Sequence, residues 1–108
     1  MARKVPRNYL KLKEREGAFV AAVEALGQAA KQAGPLDQKT AQLIQLAAAA
    51  GIRSEGSVHS HVRRALDAGA TPDEIRHALI LLTSTIGFPT VAAALSWAGD
   101  VLKGAGTR

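Results

Sequence analysis

The chain has 108 residues, 47% of them hydrophobic, no cysteine, and a formal net charge of +5. That length fits one domain with one core. The missing cysteines exclude a disulfide framework, a thiolate zinc site and any thiol redox centre of the chain's own, and no apolar run approaches the ~20 residues of a membrane span.

A chain this short buries only about two-thirds of its unfolded surface, so it carries more apolar surface than one small core covers, and association of identical copies is expected. The Met1-Ala2-Arg3-Lys4 start runs into charge rather than an apolar signal core, which predicts a cytoplasmic protein. Arg3, Lys4, Arg7, Lys11, Lys13 and Arg15 stand against Glu14 and Glu16, so six cations and two carboxylates place +4 of the total +5 in a basic arm or short helix over residues 1–17. The body over 18–103 is nearly neutral, and 104–108 is a tail expected to fray. One aromatic near the arm, Tyr9, and no recognisable nucleic-acid motif argue against a nucleic-acid partner.

In chain order the pattern is helical throughout, with no alternating β-branched run that reads as a strand. A first helix begins near Asn8 and breaks at Gly17. Beyond it Phe19, Val23, Leu26 and Ala30 form an apolar stripe that ends at Gly34-Pro35. Asp37 is an N-cap for a helix whose Thr40, Leu43, Ile44, Ala47 and Ala48 line one side, closed by Gly51. Ser54 caps the next, with Val58, Val62, Ala65 and Leu66 as its stripe and Gly69 as its left-handed stop. Thr71-Pro72-Asp73-Glu74 combines a capping box with proline at the first helical position. Its continuation from Ile75 to Ile86 is apolar nearly all round, as for a helix covered on both sides, one of them a subunit interface. After Gly87-Phe88-Pro89, a last helix carries Val91, Leu95, Ala98 and Leu102 on one face. The expectation is an all-α bundle of about five or six helices.

The chemistry gathers in Ser54-Glu55-Gly56-Ser57-Val58-His59-Ser60-His61-Val62-Arg63-Arg64. Ser54, Ser57 and His61 share a helix face, while His59 lies about 200° around from His61, so the two histidines diverge and no shared metal site is expected from them. His61 sits beside the apolar stripe, half-buried, where an imidazole serves either as an acid or base or as a satisfied core side chain. Ser57 lies one turn before His61, but no acidic orienter or oxyanion loop accompanies the pair, so capping and packing suit Ser54 and Ser57 better than nucleophilic catalysis. Arg64, at i+3 from His61, is the arginine placed to hold a carboxylate.

Leu36-Asp37-Gln38-Lys39-Thr40-Ala41-Gln42-Leu43-Ile44, then His61-Val62-Arg63-Arg64-Ala65-Leu66-Asp67-Ala68-Gly69-Ala70-Thr71-Pro72-Asp73-Glu74-Ile75, then Gly87-Phe88-Pro89, in that order, resemble the carboxymuconolactone decarboxylase family, which includes the alkylhydroperoxidase D-like (AhpD-like) proteins. The resemblance covers residues 18–103. It implies an AhpD-like helical fold assembled as a dimer-based homo-oligomer, often a hexamer, with the site at the helix carrying His61. The peroxidase branch uses a Cys-x-x-Cys pair, a histidine further along that helix and a glutamate relay on the preceding helix. The matching positions here read Ser54, Ser57, His61 and Gln42. A serine hydroxyl forms neither a disulfide nor a sulfenic acid, and an amide relays no proton through a carboxylate, so thiol peroxidase activity is not expected. His61-Val62-Arg63-x-Ala65-Leu66 resembles the lactone-decarboxylase branch more closely. This implies a lyase-type protein for a small carboxylated or lactone-like metabolite, with His61 as acid or base and Arg64 on the carboxylate. No cofactor or metal is expected. The other reading is a catalytically silent oligomeric binding or scaffold module, with Gln42, Ser54, Ser57 and His61 as a polar hydrogen-bonded cluster.

Overall fold

A computed structural model describes residues 5–104. Arg3 and Lys4 of the expected arm, and tail residues 105–108, lie outside it. The described residues hold six helices of two or more turns and one single-turn segment: α1 (Arg7–Arg15), α2 (Gly17–Gln32), α3 (Gln38–Gly51), α4 (Glu55–Asp67), α5 (Pro72–Ile80), α6 (Thr83–Ile86) and α7 (Phe88–Gly104). The all-α expectation holds. The chain divides into two compact units, Met1–Leu36 and Asp37–Arg108.

In the first unit α1 packs on α2, with the Tyr9 hydroxyl donating to Glu24 and Lys13 pairing with Glu24. The helices break at Glu16, whose φ of −126° and ψ of 54° leave the helical region just before Gly17. The apolar stripe of α2 does not form a core face. Phe19, Val23 and Leu26 are exposed, and its buried residue is Val20.

The second unit carries the core. α3 packs on α4, α4 on α7, and α5 on α7, around Leu46, Ala49, Ala50, Val58, Val62, Ala65, Ile75, Leu79, Ala94, Ala98 and Leu102. Alanines at the crossings let the backbones approach, while the leucines and valines supply the dispersion contacts that a densely packed interior needs. The last helix buries the stripe its spacing predicts: Val91, Ala98 and Leu102 are buried and Leu95 packs on the core's edge. α3 does not present its predicted face. Its buried residues are Gln42, Leu46, Ala49 and Ala50, because alanine on every side gives no direction to the pattern and a buried glutamine runs against it.

The joints between these helices are hydrogen-bonded in detail. Asp37 accepts from the Thr40 amide at 2.8 Å. At the end of α3 the Arg53 amide donates to Ala50 O and the Ser54 amide to Ala49 O, both at 3.0 Å, the paired closure of a Schellman motif. Arg53 takes the left-handed residue's place, with φ of 59°. The same motif closes α4, where Gly69 donates to Leu66 O and Ala70 to Ala65 O, and there the left-handed residue is a glycine with φ of 98°. Ser54 ends one motif and opens the next helix, its Oγ accepting from the Ser57 amide at 3.3 Å. No spare residue separates α3 from α4, so they form a tight antiparallel pair.

The capping box at α5 forms as its sequence predicts, Thr71 and Glu74 each bonding the other's backbone amide. Glu74 also pairs with Lys39 of α3 at 3.1 Å. The expected continuous helix from Ile75 to Ile86 is broken: α5 ends at Ile80, and Leu82 bonds back three residues to Leu79 O at 3.1 Å rather than four. The Thr83 hydroxyl donates to Ile80 O at 2.8 Å, so a side chain occupies a carbonyl that the helix ladder would use. Ile80 and Leu81 are exposed in the single chain.

Candidate functional site

The tight α3–α4 pair sets the site. Gln42 lies on the second turn of α3 with its side chain 2% exposed, the one buried polar residue of the described core. His61 lies on the second turn of α4, half-buried. Their side chains meet: His61 Nδ1 and Gln42 Oε1 are 2.8 Å apart. An amide oxygen only accepts, so the imidazole donates from Nδ1, and this fixes Nε2 as the basic nitrogen of the neutral ring. An imidazole held at one nitrogen by a buried partner has the orientation that an acid or base requires.

Ser54 and Ser57 are brought together as cap and capped amide, and Ser57 is half-buried one turn before His61. The Ser54 hydroxyl oxygen is committed to the backbone, a structural task. Arg64 is half-buried one turn beyond His61 and forms no ion pair among the described residues. The structure therefore joins Gln42 to His61 and Ser54 to Ser57, and places Arg64 next along the same helix.

Two features escaped the sequence reading. Gln45, one turn after Gln42, keeps its side-chain oxygen buried with no protein partner among the described residues. Spacing does not distinguish it from any other helical glutamine, so no signal announced it. The second is on the opposite side of α4. His59 Nε2 lies 3.1 Å from Asp100 Oδ2 of α7 and 3.9 Å from Glu55 Oε2. The Glu55-x-x-x-His59 spacing was legible as one helix face, but its third member comes from α7 and was not. The two histidines turn to different partners, His61 to Gln42 and His59 to Asp100 and Glu55. A surface cleft along α1, lined by Arg7, Leu10, Lys11, Lys13 and Glu14, includes none of the candidate residues.

No helix among the described residues is long and apolar enough to cross a membrane. Compared with known proteins, residues 17–100 match the model of the carboxymuconolactone decarboxylase family. No curated protein matches the chain. Among solved structures it is similar to an apo carboxymuconolactone decarboxylase family protein from Legionella pneumophila, at 26% identity over 87% of each chain and a TM-score of 0.74.

Proposed function

The chain belongs to the carboxymuconolactone decarboxylase family, and on that premise we propose that it binds, and acts as a lyase on, a small carboxylated or lactone-like metabolite. His61 is the acid or base and Arg64 the carboxylate anchor. The observation that carries this reading is the half-buried imidazole clamped through Nδ1 by a buried amide oxygen at 2.8 Å. With Nε2 as the basic nitrogen, His61 delivers, in its protonated form, the proton that takes the place of a departing carboxyl group. Arg64 offers a planar pair of donors to a carboxylate.

The cysteine-dependent peroxide chemistry of the AhpD-like branch is not part of this proposal. The chain has no cysteine, and Ser54 spends its oxygen on a helix cap. Association of copies belongs to it: Ile44, Ile80, Leu81 and Phe88 are each more than half exposed in one chain, an arrangement that suits a dimer-based homo-oligomer, up to a hexamer, in the cytoplasm.

A second reading is favoured by the same hydrogen bond. A histidine satisfied by a buried glutamine also suits a silent member of the family, kept as an oligomeric binding or scaffold module. A thermal-shift screen of wild type and His61→Ala against lactones, muconate-type acids and other small carboxylates separates the two. Molar mass is measured by light scattering on the same samples. A compound that raises the wild-type melting point and loses its effect in the variant supports the metabolite site. If nothing binds, and the variant's oligomer is weakened, His61 is structural and the scaffold reading stands.

A further inference from the structure

On the side of α4 facing away from His61, Glu55 and His59 lie one turn apart, and Asp100 reaches them from α7. One ligand atom from each of the three lies within 4.8 Å of the other two. We infer that Glu55, His59 and Asp100 form a divalent transition-metal site, zinc foremost, that clasps α4 to α7.

Ligand geometry is the first argument. Zinc holds nitrogen and carboxylate oxygen at about 2.0–2.2 Å, so tetrahedral ligand atoms stand roughly 3.4 Å apart. The His59 distances of 3.1 Å to Asp100 and 3.9 Å to Glu55 bracket that spacing. The third pair, Glu55 and Asp100, lies within 4.8 Å, and both carboxylates are more than half exposed, so their side chains have room to turn.

The frame is the second. Val58 and Val62 of α4, beside His59, and Ala98 and Leu102 of α7, either side of Asp100, are all buried at 0–1% exposure. The two helices that present the ligands are locked by the core, and rigid elements make the better metal scaffold. Charge is the third. Two carboxylates meet at one point, while the cations on flanking turns, Arg63 and Lys103, pair with neither of them among the described residues. A divalent ion balances two carboxylates, and the nitrogen and oxygen donor set suits a borderline metal better than magnesium or calcium, which favour all-oxygen shells. Three protein ligands leave a coordination position for water.

The test is titration of zinc into the full untagged chain, purified through a chelator, followed by isothermal calorimetry. Cobalt substitution is read by its visible absorption. Wild type should bind one equivalent per chain. His59→Ala and Asp100→Asn should each lose at least about tenfold in affinity, the loss that even an outer partner of a metal ligand brings. His77→Ala and His61→Ala, which change the other two histidines, should bind as wild type does. Both ligand variants replace residues outside the core, and circular dichroism confirms their fold. Absence of binding to wild type, or binding that His59→Ala and Asp100→Asn leave intact, overturns the site, the latter as an adventitious ion elsewhere. Loss of binding in His61→Ala but not in His59→Ala would overturn it equally.

Discussion

The bond between Gln42 and His61 makes a quantitative prediction through the cycle Gln42→Leu, His61→Leu and the double variant. Leucine nearly matches the volume of glutamine, so Gln42→Leu leaves little cavity at a residue 2% exposed. What it removes is the acceptor for His61 Nδ1 at 2.8 Å. An unpaired, partly buried donor costs about 1–3 kcal/mol, and the apolar gain of leucine offsets part of that, leaving about 1–2 kcal/mol. His61→Leu likewise strands the Gln42 oxygen. The double variant strands neither, so it should be less destabilised than the two single effects combined, by about 0.5–1.5 kcal/mol. Urea unfolding at fixed protein concentration measures all four proteins. With a slope near 2 kcal/mol per molar, Gln42→Leu should lower the midpoint by roughly 0.5–1 M. A coupling below about 0.3 kcal/mol, or a Gln42→Leu protein as stable as wild type, refutes the buried clamp and with it the oriented imidazole.

Ser54→Ala should cost about 0.5–2 kcal/mol in urea unfolding through loss of the α4 cap, the range found for caps of this type. Leu79→Ala, at a residue with no exposure in the core of the second unit, should cost about 2–5 kcal/mol, and a fall in melting temperature of less than ~5 °C would show that the core is not packed there. Arg53→Gly should raise stability by about 0.5–1 kcal/mol, since arginine holds a left-handed φ of 59° that glycine adopts without strain, and a destabilised variant would count against the Schellman closure. In acid, stability should fall as Glu74 and Asp37 protonate. The Thr71 amide and then Lys39 hold the Glu74 carboxyl below its ordinary 4.5, and the Thr40 hydroxyl and amide hold Asp37 below 3.8. A depressed carboxylate stabilises the fold above its unfolded value and loses that contribution as pH drops through the folded one. The loss therefore begins below about pH 4.5 and should be smaller in Glu74→Gln, which circular dichroism against pH would register.

The parts of this fold that were legible are those whose geometry one residue type enforces. Thr71-Pro72-Asp73-Glu74 can hardly start anything but a helix, and Asp37 and Ser54 each present an oxygen to an amide three residues on. Gly69 marks a left-handed stop because nothing else takes that backbone so readily. The illegible parts are those where distant groups decide. The run from Ala78 to Leu82 looks like a helix enclosed on all sides, yet Thr83 takes the Ile80 carbonyl and the helix ends. The alanines of α3 give no direction, so the pattern did not turn Gln42 inward. Asp100 could not be joined to Glu55 and His59 without knowing that α7 lies against α4.

That division bears on the site as well. Pattern and resemblance together placed Gln42, Ser54, Ser57 and His61 on two neighbouring helices, and spacing already favoured capping over nucleophilic catalysis for the two serines. The hydrogen bonds add which of these groups meet. Of the positions at which the peroxidase branch keeps thiols, Ser54 uses its oxygen to start α4, a task that any good cap performs and that asks nothing of a reacting group. The position of the glutamate relay holds an amide whose oxygen faces His61 Nδ1. A carboxylate there would favour a protonated ring by its charge. The neutral amide adds no such pull, while its oxygen still orients the ring through Nδ1. The three departures from the peroxidase pattern that the resemblance implies, Gln42, Ser54 and Ser57, thus leave His61 held by a buried amide at the meeting of α3 and α4, and on that held ring the proposed acid or base role rests.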